Sequence, residues 1–149
     1  MTILATLIVL AVLIFVHELG HFTAAKAVGV EVQRFSIGLG PKLFGFRRGE
    51  TEYVVSAIPL GGYVKMGGMD DEVMERMEGG AAEAARVPGP RDFDVKPIWA
   101  RTLVISAGVI MNMAFAFGVY TYVAAYWGLP ELSTTRIGRV EAARLPPGT

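Results

Sequence analysis

His17, Glu18 and His21 are the residues whose types and spacing could do chemistry, in the run His17-Glu18-Leu19-Gly20-His21. On a helix, residues four apart differ by about 40° in direction, so both histidines project from one face and can place two imidazole nitrogens on one zinc ion. Glu18 lies beside them, where a carboxylate can take a proton from metal-activated water and return one to a leaving amine while the metal polarises a scissile carbonyl. The chain has two His and no Cys, so any zinc must be held by His and carboxylate. Chance alone yields a His-Glu-x-x-His in on the order of one chain in several hundred. The setting adds weight, because ionisable residues in an apolar span are costly to bury and mark functional sites. The bland reading is a helix end whose polar groups only reach the headgroups.

The elements that must position these residues are set by two apolar blocks. Among 149 residues, 52% are hydrophobic and the formal net charge is +0; the mean hydropathy is +0.43. The apolar excess concentrates in residues 3–16 and 103–127. Residues 102–130 contain no Asp, Glu, Lys or Arg, and about 20 apolar residues suffice to cross a bilayer core. The first block reaches membrane length only if the His-Glu motif lies within the span. A cleaved signal peptide is the alternative for this opening, with Ala25-Lys26-Ala27 as its small-residue site. No positive charge precedes the apolar run, however, and two His and a Glu are foreign to such a segment. From Ile3 to His17 the helix would rise roughly 21 Å, placing the motif toward the far third of a core about 30 Å thick. Lys26 and Arg34 follow the first span, and Arg91, Lys96 and Arg101 lead into the second. The positive-inside rule therefore puts the middle segment in the cytosol and the N-terminus outside.

Between the spans, residues 29–37 alternate apolar and polar in the period of a half-covered strand, and Gly38-Leu39-Gly40-Pro41 is expected to end it in a turn. Residues 51–58 alternate again, and Pro59-Leu60-Gly61-Gly62 supplies turn chemistry before Tyr63-Val64-Lys65-Met66. A small antiparallel sheet beside the first helix is the simplest arrangement. Gly38-Leu39-Gly40 lacks the third glycine and helix of a dinucleotide site, so it is read as a tight turn. Residues 67–90, rich in acids, Met, Ala and Gly, read as a cytosolic linker, and Trp99 suits the headgroup layer before the second span. Gly20 and Ala24 would let another helix approach closely. Gly108, Asn112 and Ala116 share a face of the second span, where an Asn in lipid seeks a hydrogen-bond partner. Considered alone, that Asn serves as well for gluing helices as for touching substrate.

The runs Phe15-Val16-His17-Glu18-Leu19-Gly20-His21-Phe22, Arg34 to Leu43, Glu52 to Met66 and Ala107 to Asn112 together resemble the site-2 protease family, in its bacterial regulator of sigma-E protease type. The resemblance implies that His17 and His21 bind Zn2+ and that Glu18 is the catalytic acid and base. It further implies that the hairpin over residues 51–66 is a membrane-reentrant element presenting an edge to an extended substrate. Asn112 lies near a family Asn that contacts substrate, with Val109 standing where the family has Pro. Such enzymes take a third zinc ligand, an Asp, from a later transmembrane helix. Arg136-Ile137-Gly138-Arg139-Val140-Glu141-Ala142 resembles the first strand of an extracytoplasmic PDZ domain.

The expected architecture is thus a mainly α-helical membrane protein. Residues 1–27 form transmembrane helix 1 with the zinc motif, 28–66 a membrane-associated β region, and 67–101 a cytosolic linker and interfacial approach. Residues 102–128 form transmembrane helix 2, and 129–149 the start of a PDZ-like domain. The expected function is an intramembrane zinc metalloendopeptidase cleaving transmembrane segments of single-span proteins, such as anti-sigma factors or remnant signal peptides. The chain is expected to be an N-terminal part of such an enzyme, inactive by itself, in the bacterial inner membrane. Its expected partners are the substrate and the lipid bilayer, with no nucleic acid. A catalytically silent scaffold retaining the same spans is the alternative from another class. A soluble zincin suits two long uncharged spans poorly.

Overall fold

The computed structural model describes residues 2–69 and 89–128. Four elements follow one another: helix α1 (Thr2–Ala27), strands β1 (Val32–Arg48) and β2 (Thr51–Met66), and helix α2 (Ile98–Trp127). Both helices are long and apolar enough to cross a membrane. The first half of α1 is apolar on every side and bare, with Ile3 79% exposed, and a helix hydrophobic all round suits lipid rather than a water-facing surface.

Gly29 ends α1. At φ 72° it adopts a left-handed conformation that favours glycine, its N–H donates to Lys26 O at 3.1 Å, and Val30 N–H donates to Ala25 O at 2.8 Å. These are the paired bonds of a Schellman cap, whose accompanying apolar contact is made by Val30 and Ala25, both fully buried. Pro97 sets the other helix, since it precedes the first turn of α2 in an extended conformation and offers no N–H to leave unpaired. The helix therefore starts before the uncharged run, and Trp99 and Arg101 lie on its first turns.

The sheet is more folded than a simple hairpin. Instead of ending at Gly38–Pro41, β1 bends there with positive φ at Gly38 and Gly40 and continues to Arg48, and β2 bends at Gly61. The register then pairs residues 42–48 with 51–56 and residues 32–37 with 62–66, both antiparallel. It also sets Arg34 beside Glu52, Phe35 beside Tyr53 and Ser36 beside Val54, with both numbers rising together. Residues 34–37 and 52–55 are thus interior, and 42–48 and 62–66 flank the sheet. A Cβ at Gly38 would stand 2.7 Å from Ile58 O, so the bend depends on glycine. Inside, Ser36 and Ser56 share a hydroxyl hydrogen bond of 3.0 Å, and buried Thr51 Oγ1 donates to Val32 O at 2.7 Å.

The core joins α1, the sheet and the base of α2 through Ala25, Val30, Val32, Phe35, Met66 and Val104, together with Phe93. The rings of Phe15 and Phe22 on α1 meet Phe35 edge to face, and Tyr53 stacks on Phe46. Phe93 belongs to the stretch expected to be the interfacial approach to the second span. Its N–H donates to Gly67 O at 2.7 Å, and Glu31 N–H donates to Arg91 O at 2.9 Å, so this part of the approach is docked to the sheet. A lone Phe among Pro, Asp and Arg has no periodicity that would announce its burial. The greater part of the expected linker and the PDZ-like start at residues 129–149 lie outside the described residues.

Candidate metal centre

His17, Glu18 and His21 lie in the membrane-length helix α1, within about one turn of each other. The helical period brings the two imidazoles together as anticipated, with Nε2 of His17 and Nε2 of His21 3.2 Å apart. Two nitrogens at ~2.0–2.1 Å from one tetrahedral zinc stand about 3.3 Å from each other. The separation therefore fits two ligands of one ion. Among the described residues, no group of three or more His, Cys, Asp or Glu could hold a metal.

Helix α2 forms the opposite wall. A Cβ at Gly20 would stand 2.5 Å from Ala107 O, and one at Gly108 would stand 2.5 Å from His21 Nε2 and 2.8 Å from His17 Nε2. Glycine at both positions lets the backbones close on the imidazole pair. Of the face formed by Gly108, Asn112 and Ala116, the first two meet α1, whereas Ala116 is exposed.

The remaining ring nitrogens are held from α2 as well. His21 Nδ1 lies 2.7 Å from Val104 O, and because a carbonyl only accepts, Nδ1 carries the proton and Nε2 keeps its lone pair. That tautomer is the one a metal at Nε2 requires. Asn112 Nδ2 lies 3.4 Å from His17 Nδ1, while Asn112 Oδ1 is buried with no hydrogen-bond partner. Asn112, which by itself served as well for gluing helices as for touching substrate and by resemblance was a substrate contact, stands against a histidine of the facing helix. Nothing in the sequence could have signalled Val104, since it acts through a backbone carbonyl that every residue has.

Glu18 faces the sheet. A Cβ at Gly62 would stand 2.9 Å from Glu18 Cγ, so this glycine lets the 62–66 limb approach the carboxylate. A cavity of about 290 Å³ opens between them, lined by Glu18, His21, Gly62, Tyr63, Val64 and Ile105 among others. The His21 imidazole, the Glu18 carboxylate and the strand thus line one space.

A family model for peptidase family M50 matches residues 5–145. The chain belongs to peptidase family M50, the site-2 proteases. A relative from Nostoc sp. is 43% identical over 136 residues, covering 89% of this chain and 34% of its own length. One from Synechocystis sp. is 46% identical over 116 residues, 76% of this chain and 28% of its own. A third, from Ralstonia nicotianae, is 40% identical over 148 residues, 95% of this chain and 31% of its own. Each is provisionally named a zinc metalloprotease. The chain spans about a third of the length of these relatives.

Proposed function

We propose that this M50 chain carries the first two zinc ligands and the general base of an intramembrane metalloendopeptidase that cleaves transmembrane segments of single-span proteins. The observation that carries the reading is the convergence of His17 and His21 Nε2 at 3.2 Å beside Glu18, within an otherwise apolar helix. Zinc, when bound, supplies a Lewis acid for the scissile carbonyl and for water. Glu18 takes the proton from the attacking water and delivers one to the leaving amine. Its carboxylate borders the cavity against the sheet, beside His21. A third ligand, an Asp from a later helix, completes the set by family analogy.

A transmembrane helix must unwind before its peptide bonds can be attacked, and its freed backbone groups then need partners. The 62–66 limb lines the cavity and supports strand addition to an extended substrate. This moves the proposed edge from the whole 51–66 hairpin to its second half, since 52–55 is paired on both sides. Bacterial relatives and the Lys and Arg flanks support an inner-membrane, multi-pass location with the N-terminus outside.

The test is reconstitution of the full-length gene product in lipid vesicles with a single-span reporter protein. Cleavage within the reporter's span, abolished by a zinc chelator and restored by zinc, is the expected result. A chelator-insensitive product, or zinc binding with no cleavage of any membrane-spanning reporter, would sink the reading in favour of a scaffold.

A further inference from the structure

The hydrogen bonds around the imidazole pair form a directed chain. Asn112 Nδ2 donates to His17 Nδ1 at 3.4 Å, which requires the His17 proton on Nε2, and that proton points at His21 Nε2 3.2 Å away. His21 in turn donates from Nδ1 to Val104 O at 2.7 Å. The arrangement satisfies both rings without metal. It also blocks His17, whose Nε2 must give up its proton before its lone pair can reach an ion. Moving that proton to Nδ1 would set two N–H groups, of His17 and of Asn112, against each other. A half-turn of the carboxamide removes the conflict, because it exchanges nitrogen for oxygen at the same place. Asn112 Oδ1 is the group in reserve: it is buried and has no partner.

We infer that Asn112 is the positioning residue for His17, donating through Nδ2 to the metal-free ring and accepting through Oδ1 from Nδ1–H once the ring's Nε2 serves zinc. His21 needs no such adaptor, since Val104 O accepts in both states. The two ligands are therefore unequal: His21 is permanently oriented and His17 is conditionally oriented. The inference rests on the zinc reading above, and differs from a substrate contact at Asn112 in what it changes.

With 15N-labelled histidine, the ring signals of His17 and His21 are told from those of any other histidine by their disappearance in His17→Ala and His21→Ala. In the full-length gene product in detergent, the metal-free rings should report Nε2–H for His17 and Nδ1–H for His21; added zinc should convert His17 to Nδ1–H and leave His21's tautomer unchanged. Asn112→Leu removes both functions and should weaken zinc binding ~10–100-fold, the usual cost of losing a partner behind a ligand. Asn112→Asp keeps only the acceptor; it should hold zinc at least as tightly as the wild type and show Nδ1–H at His17 even without metal. Should the Leu variant misfold, seen as loss of the His21 Nδ1–H signal, the Asp variant decides alone. Wild-type zinc affinity in Asn112→Leu, or weakened affinity in Asn112→Asp, overturns the inference, as does a raised KM with unchanged zinc affinity. A wild-type protein that takes up no zinc overturns the zinc reading and this inference with it.

Discussion

Gly108 touches His21 so closely that a single added methyl would stand 2.5 Å from its Nε2. The nearest atoms are ring atoms of two held side chains, so nothing nearby can swing away cheaply. Gly108→Ala should therefore spread the imidazoles and abolish stoichiometric zinc binding, with an overpacking cost of ~1–3 kcal/mol in stability. Gly118→Ala, on the same helix with nothing within 4 Å, is the control and should leave both unchanged or slightly improved. Metal analysis and thermal unfolding of the two variants make the comparison; equal zinc content would refute the close-packing account.

The three motif residues should separate by phenotype. Glu18→Gln removes the proton acceptor but no ligand, so zinc stays bound while turnover falls by a factor of ~10²–10⁴. His17→Ala and His21→Ala should each lose both. Metal content and reporter cleavage measured on the same samples would expose a wrong assignment as zinc lost from Glu18→Gln.

Along the 62–66 limb, successive backbone N–H groups point alternately toward residues 32–37 and away from them. Proline at Val64 and at Lys65 should thus have opposite consequences. One variant breaks a sheet hydrogen bond and unfolds; the other keeps the fold and zinc yet loses cleavage, because the outward N–H that an added strand needs is gone. Two folded variants that both cleave normally would end the strand-addition idea.

Glu50 accepts hydrogen bonds from Arg91 and Lys26, which hold its carboxyl down at about 2 from the ordinary 4.5. Since the folded value lies below the unfolded one, the contribution is fully present above pH 4.5 and is lost as pH falls toward about 2. The groups are partly exposed, so the effect is at most about 1 kcal/mol. Glu50→Gln should unfold at a lower temperature than wild type at pH 7 and match it near pH 2. A difference that survives acid would show that the contact is steric.

Topology can be read with single cysteines. Thr2→Cys should react with an impermeant reagent from outside and Asp94→Cys only from the cytosolic side. Reversed labelling would invert the proposed orientation.

The imidazole pair was legible because spacing in sequence becomes direction on a helix by one rule, and the apolar context was visible in the same residues. The strands were legible too, from their alternation. Their arrangement was not: the glycines at 38, 40 and 61 mark bends, but which limb becomes central depends on pairing across the sheet. Phe93 had no pattern to give it away. Asn112 was found by its polarity in an apolar run, yet its neighbour His17 is 95 residues away in sequence and became visible only through the packing of α2 on α1.

The division of labour between the helices limits how anything can enter. The rings belong to α1, whereas their outer partners, Val104 O and Asn112, belong to α2. Parting the helices to admit a polypeptide would strip both rings of their orientation at the moment the chemistry needs it. Aromatic contacts meanwhile fasten α1 to the sheet at Phe15 and Phe22. Under the proposed function, passage along the 62–66 flank leaves both rings held, and the seam between α1 and α2 is a doorway that stays shut.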